Sequence, residues 1–213
     1  MDLVDLIEKR RFLGREFLVF LWFESELFDG LVPVEGFGPC EIRLEGQITL
    51  SCDKEHARLK GVAPSAEPEA HQALRQGKLP AQARLRVTVG ELTYAFSLQA
   101  DTLALAGVKI PSIVKEEADE QFYERMYLVE ELEAVVNALY LKFVAVRLST
   151  AWEERVLPAI RAWVRGEPTV HADVYAKLRA RIAPLGPTAR PKSTPPPPLG
   201  AEEEDAPPQR MMG

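Results

Sequence analysis

Residues 83–108 read ARLRVTVGELTYAFSLQADTLALAGV, and the part up to Leu98 decides the fold. Leu85, Val87 and Val89 alternate with polar neighbours, Gly90-Glu91 interrupts, and Leu92, Tyr94, Phe96 and Leu98 alternate again. A period of two sends successive side chains to opposite faces of a strand. Two such runs, separated by two residues of which one is glycine, predict an antiparallel hairpin. Its apolar face requires cover, while Arg84, Arg86, Thr88 and Thr93 line the face left to water. Arg84 and Arg86 can meet phosphates there, or stay hydrated as exposed strand arginines usually do. Leu103 and Leu105 offer a further strand after a turn at Ala100-Asp101.

Upstream, CEIRLEGQITLSC, residues 40–52, alternates Ile42 and Leu44, then Ile48 and Leu50, around Glu45-Gly46. A second hairpin is expected, turning at that glycine. A third short strand is expected from Ala57 to Val62. ALRQGK, residues 73–78, reads as the end of a short helix stopped at Gly77.

Two helices supply the cover. RFLGREFLVFLWFESELF, residues 11–28, sets Leu13, Phe17, Phe20, Leu21 and Phe28 at helical spacing, and Trp22 and Phe23 make it apolar on nearly every side. Such a helix must be buried all round. Its unbroken apolar run, Phe17 to Phe23, falls far short of the roughly 20 residues of a membrane span. Glu24, Ser25 and Glu26 stand where a secretory signal would carry small residues for cleavage. After Pro111 a helix is expected from Ala118 to Ser149, roughly 45 Å long. It bears one apolar line of Leu128, Leu132, Val135, Leu139, Phe143 and Val146. A second line, Phe122, Met126, Val129, Val136 and Tyr140, implies packing on two sides. Thr150 and Glu153 have the spacing of a capping box. The helix they open carries Trp152, Leu157, Ile160, Trp163 and Val164, with a bend at Pro158. A last helix is expected over Val170–Ile182.

From Pro184 onward the chain holds nine of the 17 prolines and almost nothing large and apolar. It cannot bury enough surface to offset its ordering entropy, so disorder is expected. The run Pro195–Pro198 favours an extended polyproline conformation, as a ligand for a proline-binding module or as a plain solubilising tail. The expected organisation is an α+β domain over residues 1–183: an antiparallel sheet of hairpins packed against a hydrophobic N-terminal helix and a long C-terminal helix. A disordered Pro/Glu-rich tail, 184–213, follows.

Motifs for chemistry are missing from the sequence. Cys40 and Cys52 match neither a disulfide framework nor a metal knuckle. His56, His71 and His171 sit in unrelated segments without metal-ligand spacing. No phosphate loop, dinucleotide fingerprint, nucleophile elbow or zinc-protease motif occurs. Glu116, Glu117, Asp119 and Glu120 cluster at a helix start, where the helix dipole favours them. The sequence calls for no cofactor, no metal and no catalytic residue. Charge is more informative. The net charge is −6, yet residues 142–192 carry a balance of +6, against −9 in residues 1–141 and −3 in residues 193–213. The local positive field either suits a polyanion or belongs to solvated helix faces.

The segments RFLGREFLVFLWFESE, LRQGKLPAQARLRVTVGELTYAFSLQADTLAL and FYERMYLVEELEAVVNALYLKFVAVRLSTAW resemble the C-terminal half of the recombination-associated RdgC family. The likeness is nearest to its longer, divergent bacterial members and covers roughly residues 5 to 165 in the same order. No counterpart of the family's N-terminal half is found here. The resemblance implies an α+β protein without enzymatic activity that forms ring-shaped dimers, binds double-stranded DNA without sequence preference and restrains RecA-promoted strand exchange. It also implies a partner chain resembling the missing half and a homo- or hetero-oligomer; with no signal segment or membrane span in the sequence the cytoplasm is the expected compartment, at the nucleoid if DNA is bound. Together with the basic balance, it makes Arg147, Arg155, Arg161 and Arg165 the first candidates for phosphate contact, with Lys9, Arg10, Arg11 and Arg15 next. The alternative is an interaction subunit, or adaptor, that lacks DNA contact and docks through its proline-rich tail.

Overall fold

The computed structural model describes residues 3–52 and 55–167, with side chains from residue 13 onward in that range. In chain order the elements are α1 (Leu3–Leu27), β1 (Leu31–Val34), β2 (Gly38–Cys52), β3 (Glu55–Gly61), a single 3-10 turn (Pro64–Ala66) and α2 (Pro68–Arg75). Then come β4 (Leu79–Val89), β5 (Leu92–Gln99), β6 (Leu105–Lys109), α3 (Ala118–Arg147), a π-helical turn (Trp152–Val156) and α4 (Leu157–Arg165). The class is α+β. All strand pairs are antiparallel, in the order β1-β2-β4-β5-β6, with β3 also paired to β2.

The β4–β5 hairpin forms as its alternation predicts. Val89 pairs with Leu92, and Val87 with Tyr94, across a two-residue turn in which Gly90 takes φ +59°. Residues 40–52, by contrast, are no hairpin. They belong to one 15-residue strand, β2, that runs straight through Gly46. Leu44 pairs with Leu85 and Ile48 with Ala83, so β2 gains two residues over β4 at a bulge, with Gly46 at φ +77°. A bulge and a tight turn ask the same positive φ of glycine. Here β4 offers backbone partners on both sides of the bulge, and an even number of extra residues keeps Ile48 and Leu50 on the face of Ile42 and Leu44. The third strand forms as expected but ends at Gly61, leaving Val62 exposed. β6, the strand expected around Leu103 and Leu105, starts only at Leu105, because Leu103, at φ +57°, is still in the turn.

The helices cover one face. Every residue from Phe17 to Phe23 is buried. Phe28, also buried, lies just past the end of α1. Gly14 brings α1 so close to the β5–β6 turn that a Cβ there would sit 1.8 Å from the Ala100 carbonyl oxygen. α3 crosses the sheet from β5, where Tyr94 Oη donates to Glu131 (3.1 Å), to β1, where Lys142 Nζ donates to the Pro33 carbonyl (3.2 Å). Leu128, Leu132, Val135, Leu139 and Phe143 enter the core. The second apolar line divides: Val136 and Tyr140 lie against the core, whereas Phe122, Met126 and Val129 are exposed. The buried residues of α3 therefore lie on one side, and only from Leu128 onward.

Thr150 makes no capping bond. It is already helical, and Ser149 turns the chain instead, its carbonyl accepting from Trp152 N (3.1 Å). Pro158 offers no N–H to the preceding turn, and the ladder widens to a π-turn immediately before it. The expected helix Val170–Ile182 and the tail from Pro184 lie outside the described residues. Among those that are described, no single helix is long and apolar enough to cross a membrane.

A candidate polyanion-binding face

The arginines singled out by sequence divide into three groups. Arg147 Nε donates to Glu16 Oε2 (2.9 Å), and its guanidinium lies 4.9 Å from the centroid of the Trp152 ring. Arg15 Nε donates to Asp101 Oδ1 (3.1 Å). Both half-buried pairs tie α1 to its neighbours, to α3 in one case and to the β5–β6 turn in the other. Arg155, Arg161 and Arg165 are exposed at the last two helical segments. There Glu153 and Glu154 neighbour Arg155, and Arg165 Nη1 stands 3.6 Å from Glu167. Lys9, Arg10 and Arg11 fall on α1, with side chains outside the described residues. Much of the +6 balance, from Lys177 to Lys192, also lies outside them.

The described helices gather their buried residues on the apolar side of the sheet, with Phe17 of α1 against Phe143 of α3 and Trp22 against Trp163 of α4. The other face stays open, and the register decides what it carries. Residues paired across antiparallel strands share a face. Arg43 pairs with Arg86, Arg86 with Ala95 and Ala95 with Lys109, which makes a row across four strands. Arg58 pairs with Thr49 and Lys60 with Gln47 on the same face, and Arg84 pairs with Ser97. From β3 to β6 this surface spans four strand spacings, about 19 Å.

Six cations thus share the open face with two carboxylates. Glu41 accepts from Arg43 Nε (2.7 Å) and Glu45 from Arg86 Nε (2.8 Å), which relieves the two arginines that stand opposite each other. Arg58, Lys60, Arg84 and Lys109 form no ion pair among the described residues. Arg84 lies over Gly46, whose missing side chain makes room for it: a Cβ there would meet Arg84 Cδ at 3.0 Å. Thr88, Thr93, Ala95 and Ser97 keep the centre flat, and among the described residues the strands present no Phe, Tyr or Trp on this side; the imidazole of His56, opposite Ser51, stands at the β3 edge.

Arg84 and Arg86 were legible as polar-face residues. Arg43, between Ile42 and Leu44, and Arg58 and Lys60, around Leu59, obey the same parity and were overlooked. Their assembly into one surface depends on strand order, which no local pattern carries.

Beside Arg43 and Arg86 an open groove of about 720 Å³ is bounded by Glu26, Asp29, Glu41, Glu45 and the Val62–Ala66 segment. The Glu26 carboxylate accepts from the indoles of Trp22 (2.6 Å) and Trp163 (2.7 Å), and His71 stacks edge-on against both rings. This cluster joins α1, α2 and α4. Among the described residues no group of three His, Cys, Asp or Glu is placed to hold a metal. Cys40 is buried, which pushes its thiol pKa up to about 11, away from reactivity. Compared with known protein families and with curated proteins, the chain matches no family model and no curated sequence.

Proposed function

We propose that this protein is a non-enzymatic, DNA-associated factor that holds duplex backbone on the open face of its sheet, without reading sequence. One observation carries the reading: six cations against two carboxylates on a flat strand surface that presents no Phe, Tyr or Trp. Lys and Arg contacts to phosphate position a protein on nucleic acid but convey no base sequence. Single-strand binders add aromatic platforms for successive bases, and this surface offers only the imidazole of His56 at one edge, so a duplex is the better fit. The likeness to RdgC adds a role as a modulator of recombination, working with a partner chain at the nucleoid. The adaptor reading draws its own support from the exposed apolar residues of α3.

Salt-dependent binding is the test. If Arg58, Lys60, Arg84 and Lys109 each neutralise one phosphate, log affinity should fall against log salt with a slope of about −3.6. Fluorescence anisotropy on several unrelated duplexes should give the same slope for each. Arg58→Gln/Lys60→Gln/Arg84→Gln should reduce its size by about 2.7. Arg155→Gln/Arg161→Gln/Arg165→Gln is the comparison set. A steep slope that only this second set abolishes moves the interface to α4. No salt-sensitive binding, with or without a partner chain, leaves the adaptor reading in possession.

A further inference from the structure

We infer that residues 202–205, EEED, of this chain's own C-terminal segment occupy the basic face of the sheet at Arg58, Lys60 and Arg84, where they compete with DNA phosphate. The inference rests on the reading of that face as a phosphate site and adds what regulates it. Arg58 lies opposite Thr49 and Lys60 opposite Gln47 of β2, while Arg84 comes over Gly46 from the other side of the same strand. β3 and β4 flank β2, so the three cations stand across its bulge, two strand spacings or about 10 Å apart. Four consecutive residues span about 10 Å when extended, enough for one short run of carboxylates to touch all three. A carboxylate held there cancels the local field that draws phosphate to the face.

Charge and reach select the occupant. Residues 202–205 are the longest unbroken acidic run in the sequence. Arg58, Lys60 and Arg84 form no ion pair among the described residues. The described residues end at Glu167, near the edge of the sheet that carries Arg58 and Lys60. Arg75 of α2 donates from Nε to the Val164 carbonyl (2.8 Å), and Lys78, three residues on, stands 3.1 Å from Glu55 at the start of β3. From Glu167, the 34 residues 168–201 lead to Glu202. Their contour length is roughly 110 Å, against about 40 Å for the diameter of a domain of this size. The run therefore reaches the face from its own chain.

Carbodiimide coupling, which joins a carboxylate to an amine in contact with it, tests this on the full chain without DNA. Peptide mapping should find residues 202–205 joined to Lys60 within one chain. The product should be lost at high salt, with excess duplex, and in Glu202→Gln/Glu203→Gln/Glu204→Gln/Asp205→Asn. That variant should bind duplex about tenfold tighter at low salt, the factor expected when an effective concentration of about 1 mM meets a contact of about 0.1 mM affinity. The two proteins should converge near about 0.15 M salt, where charges are screened beyond about 8 Å, and share one slope above it. Glu116→Gln/Glu117→Gln/Asp119→Asn/Glu120→Gln removes four charges from the start of α3 and should change affinity far less. An equal gain from this second set would trace the effect to net charge and overturn the inference. It is overturned too if residues 202–205 couple only to other lysines, Lys177 and Lys192 of the intervening stretch among them, only to a second copy, or to none. The two readings fail separately. Coupling to Lys60 without duplex binding upholds the contact and overturns the phosphate reading; duplex binding on the strands that the variant leaves unchanged, without coupling to Lys60, does the reverse.

Discussion

Glu24 and Lys142 show how a single buried charge shapes the stability of this chain. The Glu24 side chain is only 10% exposed, and Lys142 Nζ donates to its Oε2 at 2.7 Å. Burial pushes the Glu24 pKa above the ordinary 4.5, and the Lys142 ammonium pulls it back only in part. A carboxyl whose folded pKa lies above its unfolded one favours folding below the unfolded value and loses that contribution as pH rises through the folded value. Wild type should therefore lose stability relative to Glu24→Gln as pH climbs from 4.5 towards neutrality. Urea titrations at a series of pH values check this, and parallel curves for the two proteins would sink it. Lys142→Met leaves the carboxylate buried without its cation and should cost about 3–5 kcal/mol at neutral pH. Neither partner was foreseeable. They stand 118 residues apart, as Arg147 and Glu16 stand 131 apart, and only the fold brings them together.

At the level of elements, local rules were legible and shared ones were ambiguous. The β4–β5 hairpin could be read because alternation and a two-residue turn are both properties of a short stretch. Gly46 misled because positive φ serves a bulge as well as a turn, and the choice rests on β4, more than 30 residues away. Gly14 made no signal at all. Within a helix, Gly→Ala ordinarily stabilises by roughly 1 kcal/mol. Here the new methyl would meet the Ala100 carbonyl oxygen at 1.8 Å and its carbon at 2.8 Å, both backbone atoms that cannot rotate aside. Overpacking typically costs about 1–3 kcal/mol, and a backbone contact belongs at the upper end. Gly14→Ala is therefore expected to destabilise, with denaturant midpoints well below wild type; a midpoint at or above wild type would mean that α1 does not approach the sheet this closely. On α3, the second apolar line was expected to pack on a second side, yet Phe122, Met126 and Val129 of that line are exposed. Its being uncovered within the chain was not visible, because periodicity shows that a face is apolar without showing what meets it.

For the whole molecule, the basic face of the sheet and the exposed residues of α3 lie on opposite sides. α3 packs on the apolar side of the sheet, whereas the cations occupy the side away from it. A substitution on the exposed part of α3 therefore leaves the basic face untouched. Phe122→Glu/Met126→Glu should bind duplex with the salt dependence of wild type, a slope of about −3.6, whereas Arg58→Gln/Lys60→Gln/Arg84→Gln should flatten it. Fluorescence anisotropy across a salt series checks both variants side by side. A slope that the α3 variant flattens and the strand variant leaves alone would place the duplex on the helical side of the molecule, and the open face of the sheet would not be the interface.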